Sequence, residues 1–169
     1  MNVVFSHGKE SGPWGTKIKE LAKKAEEKGF EVDSVDYQGI DNVDERALKL
    51  REKLTFIEGP VVLVGSSMGG YVATACAGEP ACKGLFLLAP AFYLGGSVNF
   101  DTVSLPESTA IVHGWRDDIV PVENSWRFAK QHSAELHILD DDHRLIGTLP
   151  KISTLFSQFL SQLETQDAN

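Results

Sequence analysis

A chain of 169 residues has the length of one ordinary domain and can bury a full core without a disulfide or metal staple. Its 16 Lys and Arg against 24 Asp and Glu give a formal net charge of −8, which argues against a nucleic-acid backbone as partner. Because no apolar stretch approaches the roughly 20 residues of a membrane helix and the N-terminus lacks a secretory signal, we expect a cytoplasmic protein without a membrane partner.

Six short runs rich in Val, Leu, Ile and Phe predict strands that are covered on both faces. In chain order they are residues 3–6, 30–36, 60–65, 82–88, 109–113 and 135–139. Five helical patterns separate and follow them, at residues 13–29, 43–57, 68–79, 121–129 and 152–163. We therefore predict a single domain over residues 1–164, with residues 165–169 as a flexible C-terminal tail.

The alternation of strands and helices predicts right-handed βαβ units, and hence an α/β fold with a parallel sheet between two helix layers. In such sheets ligands bind at the carboxyl ends of the strands. Chemistry is therefore expected in the loops that follow strands.

The loop after the third strand contains the pattern Gly-x-Ser-x-Gly over residues 65–69, with Ser67 at its centre. By chance this pattern arises in roughly one chain in twenty of this length, so alone it is weak. Its position between an apolar strand and a helical pattern strengthens it, because a nucleophilic serine needs such a turn with flanking glycines. Ser67 is the candidate nucleophile; the alternative is a Gly-rich tight turn without chemistry.

The strand pattern, the turn at Ser67 and three further segments resemble the α/β-hydrolase superfamily over nearly the whole chain. The segments are His7-Gly8, residues 113–121 (His-Gly-Trp-Arg-Asp-Asp-Ile-Val-Pro) and residues 140–145 (Asp-Asp-Asp-His-Arg-Leu). The resemblance is to small, capless bacterial esterase-like serine hydrolases. It implies a three-layer αβα sandwich of about six parallel strands in the order 2-1-3-4-5-6, without a large cap domain.

The resemblance also implies a base and an acid, which a serine hydroxyl needs before it can attack a carbonyl. The family's order of nucleophile, acid and base points to Asp117 as the acid and His143 as the base. Asp118 remains the alternative acid, and His7 is the next candidate base. The acidic run at residues 140–142 is less suited, because side chains adjacent to His143 cannot easily reach its inner nitrogen.

Acyl transfer further needs hydrogen-bond donors aimed at the developing oxyanion. The resemblance places them at the backbone N–H groups of Met68, directly after the nucleophile, and of Lys9, after His7-Gly8. A tight turn at His7-Gly8 is compatible with this role.

Residues 90–108 are too few for a cap domain, although they have room for a flap or a short helix. We expect an open site whose apolar wall comes from aromatic and aliphatic residues at strand ends; packing in the core is the alternative for each. The candidates are Trp14, Phe92, Tyr93, Leu94 and Trp115. No dinucleotide fingerprint, phosphate loop or spaced metal-ligand set is present, so no cofactor or metal is expected.

These features predict a serine hydrolase that cleaves a small carboxylic ester or thioester through an acyl-enzyme. A peptidase or an acyltransferase would use the same catalytic residues. A non-catalytic ligand-binding protein on a hydrolase scaffold is the alternative from another class, because fold does not fix function. Neither the substrate nor the oligomeric state can be deduced from the residues.

Overall fold

The computed structural model describes residues 1–168 as a six-stranded sheet flanked by five helices. The strands are β1 (Asn2–Ser6), β2 (Glu31–Val35), β3 (Val61–Ser66), β4 (Cys82–Leu88), β5 (Ser108–Gly114) and β6 (Glu135–Leu139). The helices are α1 (Thr16–Glu27), α2 (Val43–Leu54), α3 (Met68–Ala75), α4 (Val122–His132) and α5 (Leu149–Asp167). All strand pairs are parallel and the order is β2-β1-β3-β4-β5-β6, which confirms the predicted topology.

Alternate residues of each strand enter two separate cores, one on each face of the sheet. Val3 and Phe5 of β1 pack with apolar residues of α1 and α5, whereas Val4 packs with those of α2, α3 and α4. All six residues of β3 are buried, as expected for a central strand covered on both faces. The three-layer αβα arrangement follows directly from this two-sided burial.

Helix α5 is longer than predicted. It begins at Leu149, with Pro150 in its first turn where a missing N–H is harmless, and it runs to Asp167. Residues 165–167, which we expected in the flexible tail, are therefore helical, and Asn169 lies outside the described residues. Among residues 1–168, no helix is long and apolar enough to cross a membrane.

The segment of residues 90–107, between β4 and β5, contains turns and bends but neither helix nor strand. Two residues hold this segment in place. Phe100 is buried in the core, and Ser97 donates hydrogen bonds from its backbone N–H and its hydroxyl to Asp44 on α2. The Tyr71 hydroxyl donates to the same carboxylate at 2.8 Å and accepts from the Val98 N–H at 3.0 Å. The segment is thus a loop held against α2 and α3 by hydrogen bonds, and the fold has no large cap domain.

Candidate active site

Ser67 occupies a strained turn between β3 and α3. Its φ of 54° and ψ of −116° are unusual for a residue with a side chain, and they expose the hydroxyl at the carboxyl end of the sheet. The flanking glycines are sterically required, because a Cβ on Gly65 would overlap the Gly69 carbonyl and one on Gly69 would overlap the Ser6 carbonyl. The Gly-x-Ser-x-Gly pattern is therefore explained by close backbone packing around the serine.

Three side chains from three different loops meet at this turn. His143, after β6, places Nε2 3.0 Å from Ser67 Oγ and Nδ1 2.7 Å from Asp117 Oδ2. Asp117 follows β5, whereas its neighbour Asp118 is exposed to solvent. The Asp117–His143–Ser67 arrangement is a continuous hydrogen-bonded chain from a carboxylate through an imidazole to a hydroxyl.

The Asp117 side chain is fully buried and each of its oxygens accepts hydrogen bonds. Oδ1 accepts from the N–H groups of Ile119 at 2.9 Å and Val120 at 2.8 Å, while Oδ2 faces His143. Burial raises the pKa of the Asp117 carboxyl, but the bonds from His143 and the two amides outweigh it, so the pKa lies below its usual value. The group therefore stays a carboxylate at neutral pH.

A second histidine, His113, also reaches Asp117 and was missed in the sequence as a site residue. Its Nε2 lies 2.9 Å from the Val120 carbonyl and 3.0 Å from Asp117 Oδ2, so this nitrogen carries the proton. Its Nδ1 accepts from the Ser125 hydroxyl at 2.7 Å. Burial lowers the pKa of His113, which keeps the ring neutral and makes it a fixed donor to the acid. Its only sequence signal is its place in the His-Gly motif.

The loop that carries His143 is organised by Asp141, which is only 5% exposed although it lies in an acidic run. Asp141 Oδ2 accepts from the N–H and hydroxyl of Thr148, both at 2.8 Å, and Oδ1 accepts from the Asp142 N–H. The Arg116 N–H donates to the Asp141 carbonyl at 2.9 Å. The loops that hold the candidate acid and base are thus tied to each other.

The two predicted oxyanion donors are free to bind a ligand. Among residues 1–168, the N–H groups of Lys9 and Met68 donate to no protein acceptor. Met68 is the first residue of α3, where backbone donors lack helical partners. A Cβ built on Gly8 would lie 3.6 Å from the Ser67 Cβ, so the peptide between Gly8 and Lys9 passes beside the candidate nucleophile.

The five candidate pocket residues separate into two environments. Trp14, Leu94 and Trp115 are exposed at 42%, 53% and 62%, on loops that follow β1, β4 and β5 at the same sheet edge as Ser67. Tyr93 is partly buried, with the Arg127 guanidinium 3.9 Å from its ring centre.

Phe92 does not line the surface around Ser67, and its assignment to the substrate pocket is corrected. It is fully buried and stacks on Phe128 of α4, with ring centres 4.1 Å apart. Along this loop the side chains therefore pass from the core at Phe92, through the partly buried Tyr93, to the exposed Leu94.

Two basic residues near the site were also missed. Lys17, in the first turn of α1, has its pKa lowered to about 8 by burial and by Arg144, while Asp117 and Asp141 oppose the shift. Arg46, on α2, is buried behind the loop of His7-Gly8. Arg46 lies on the apolar face of its helix, between Val43 and Leu50. A charged residue at such an inward position was the sequence signal that could have marked it as a functional candidate. Within residues 1–168, no group of three or more His, Cys, Asp or Glu side chains is arranged so that it could hold a metal ion.

A six-stranded parallel sheet with its serine on a strand-to-helix turn, and with an acid and a histidine after the fifth and sixth strands, defines the α/β-hydrolase class. The chain belongs to the alpha/beta hydrolase family, whose sequence model matches residues 3–162.

Solved structures agree with this membership. A hydrolase-superfamily protein from Xanthomonas campestris pv. campestris is 30% identical, with a TM-score of 0.85 over 95% of this chain and 98% of that one. An esterase from Pyrococcus furiosus is 18% identical with a TM-score of 0.83, over 95% of this chain and 82% of that one. Est1E from Butyrivibrio proteoclasticus is 19% identical with a TM-score of 0.81, over 96% of this chain and 88% of that one. No curated protein matches the sequence significantly.

Proposed function

We propose that the protein is a serine hydrolase that cleaves a carboxylic ester or thioester through an acyl-enzyme. The observation that carries this proposal is the hydrogen-bonded chain from Ser67 Oγ through His143 to Asp117, with contacts of 3.0 and 2.7 Å. The esterases among the structural relatives support it through their shared fold alone.

In the proposed reaction, Ser67 Oγ attacks the substrate carbonyl carbon while His143 Nε2 takes its proton. The carbonyl π electrons move to oxygen, and the Lys9 and Met68 N–H groups stabilise the resulting oxyanion. Collapse of this intermediate expels the alcohol or thiol, which receives the proton from His143. Water, deprotonated by His143, then attacks the acyl-enzyme carbonyl. The second intermediate collapses, the bond from the acyl carbon to Ser67 Oγ breaks, and His143 returns the proton to Ser67 Oγ as the acid leaves.

Asp117 contributes by holding the His143 ring with Nδ1–H toward it, which leaves Nε2 free to accept the serine proton. It also stabilises the imidazolium that forms during each step. Because the pKa of Asp117 lies below its usual value, the acid remains charged while His143 gains and loses its proton.

An open site favours a small acyl group or an ester presented on a larger molecule. The loop of residues 90–107 contains no helix that would cover Ser67, the His143 side chain is 19% exposed, and Phe92 is buried in the core. A panel of p-nitrophenyl esters and acyl-CoA thioesters of graded length tests this. We expect rates to be highest for short chains; a steady rise beyond about eight carbons would contradict the open-site argument.

The nucleophile is tested with a fluorophosphonate probe on the native protein. We expect covalent labelling that is abolished in Ser67→Ala and kept in Ser66→Ala, which removes the same atom from the adjacent residue. Labelling of Ser67→Ala at the native rate would exclude Ser67 as the nucleophile. A native protein that neither reacts with the probe nor hydrolyses any ester in the panel would favour the ligand-binding alternative.

A further inference from the structure

Arg46 is a buried cation whose hydrogen bonds all go to backbone carbonyls. It is 1% exposed, its Nε donates to Ile40 at 2.6 Å, and its Nη1 reaches the carbonyls of His7 at 3.4 Å and Gly8 at 3.2 Å. Within residues 1–168 it forms no salt bridge, although its guanidinium lies 5.5 Å from the Tyr37 ring centre. Burial lowers the pKa of Arg46, and Tyr37 and Asp41 only partly offset this effect. Because a buried charge without a salt bridge is costly, its position calls for a specific reason.

The Gly8 carbonyl is held by a second donor, the ring of His7. The Tyr37 N–H donates to His7 Nε2 at 2.8 Å, which leaves Nδ1 as the protonated nitrogen; Nδ1 then donates to Gly8 at 2.7 Å. Burial lowers the pKa of His7, so the ring stays neutral and keeps this tautomer. Two fixed donors, Nη1 of Arg46 and Nδ1 of His7, therefore set the direction of one carbonyl.

The direction of the Gly8 carbonyl also sets the direction of the Lys9 N–H. In a trans peptide the C=O and the N–H point to opposite sides, so the Lys9 N–H points away from Arg46. This peptide lies beside Ser67, and its N–H has no acceptor within residues 1–168. Glycine at position 8 imposes little restraint of its own, so without these donors the peptide plane could rotate easily.

We propose that Arg46 is a positioning residue that holds the Gly8–Lys9 peptide so that the Lys9 N–H faces the oxyanion formed on attack by Ser67. This inference rests on the proposed serine hydrolase function. It assigns Arg46 a role in the transition state, although the side chain itself touches neither substrate nor Ser67.

The test compares Arg46→Met and Arg46→Lys with Arg51→Met, an exposed arginine on the same helix that contacts Glu79. Methionine keeps much of the apolar stem, and lysine keeps the charge but cannot serve three carbonyls in the guanidinium geometry. The readouts are kcat and KM on p-nitrophenyl acetate and the affinity for a trifluoromethyl ketone, which adds Ser67 Oγ and forms a stable oxyanion. Rates are normalised to active sites titrated with the fluorophosphonate probe.

For Arg46→Met we expect kcat to fall about 10- to 100-fold with KM nearly unchanged, less than the 10²–10³ typical of deleting an oxyanion donor. Ketone affinity should fall by the same factor, Arg46→Lys should lie between, and Arg51→Met should match the native protein. The midpoint of the pH–rate profile should not move, because the base is untouched.

A folded Arg46→Met protein with native kcat and native ketone affinity per active site would overturn the inference while leaving the hydrolase proposal intact. An Arg46→Met preparation that contains fewer titratable active sites, each with the native kcat, would also overturn the inference, because Arg46 would then act only in folding. If Arg46→Met does not fold, Arg46→Lys decides by its ketone affinity together with the Lys9 amide NMR shift on ketone binding. An inactive native protein would instead refute the hydrolase function.

Discussion

Replacing Asp117 with asparagine should change the tautomer of His143 while leaving the shape of the acid nearly unchanged. In the native protein, Asp117 Oδ1 accepts hydrogen bonds from the backbone N–H groups of Ile119 and Val120. In the variant, the oxygen of the asparagine amide must therefore take the place of Oδ1. The NH₂ group then takes the position of Oδ2, where it faces His143 Nδ1 and His113 Nε2. It can donate to Nδ1 only if His143 moves its proton to Nε2, and a protonated Nε2 cannot accept the proton of Ser67.

The expected loss in kcat is about 10⁴-fold, the size found when the acid of a serine protease triad is made an amide, and it equals about 5.5 kcal/mol of barrier. Stability should also fall by about 2–3 kcal/mol, because charge-assisted bonds are lost and the new NH₂ group opposes the N–H of His113. The carboxylate's contribution is present above its unfolded pKa near 4 and is lost as pH falls through the lower folded pKa of Asp117. The stability difference between native protein and variant should therefore shrink in acid.

Steady-state hydrolysis at pH 7, urea unfolding at pH 7 and pH 3, and NMR of the His143 ring nitrogens measure these three effects. Asp118→Asn is the matched control, since it makes the same change in charge at the adjacent, exposed residue. The reasoning fails if Asp117→Asn keeps kcat within about threefold of native, or if Asp118→Asn carries the large loss instead.

Two further substitutions test the packing and the electrostatics beside the site. Gly69→Ala should destabilise the fold by about 3 kcal/mol or more and abolish the proposed ester hydrolysis, because its Cβ overlaps the Ser6 carbonyl. Gly15→Ala, whose Cβ meets nothing closer than 3.9 Å, should cost no more than about 1 kcal/mol in urea unfolding, through the N-cap of α1, and leave turnover unchanged. Lys17→Met should stabilise the protein by about 1–3 kcal/mol at pH 7, because the folded pKa of about 8 penalises the charged lysine. This gain should fade as pH rises from 8 towards 10.5, where native stability increases, and a pH-independent gain in urea titrations would contradict the burial of the charge.

Most of the fold could be predicted because its signals are local. A strand covered on both faces must be apolar throughout, as β3 is, and helices must show an inward stripe, as α2 and α5 do. The turn at Ser67 was also readable, since a serine flanked by two glycines directly after a buried strand is typical of a nucleophile turn. The strand order and the choice of Asp117 came from the family resemblance, because spacing alone does not decide either.

The environments of individual side chains were less predictable, because they depend on contacts between distant segments. Phe92 and Leu94 look equivalent in sequence, but the first packs against Phe128 of a later helix and the second is exposed. Asp141 belongs to an acidic run that is typical of a solvated loop in sequence, yet its carboxylate accepts hydrogen bonds from the backbone N–H and the hydroxyl of Thr148.

The three histidines at the carboxyl edge of the sheet illustrate how such contacts separate roles that a motif cannot. His7 and His113 both precede a glycine at a strand end, both have fully buried side chains, and each has one nitrogen committed to a backbone carbonyl. Burial lowers the pKa of both rings, which suits them to hold hydrogen bonds without changing charge. Of the three, His143 alone is partly exposed, at 19% of its side chain, and it alone has the Ser67 hydroxyl at its Nε2. The two neutral rings therefore fix the directions of the Gly8 carbonyl and of the Asp117 carboxylate, and the proton transfers of the proposed reaction fall to His143.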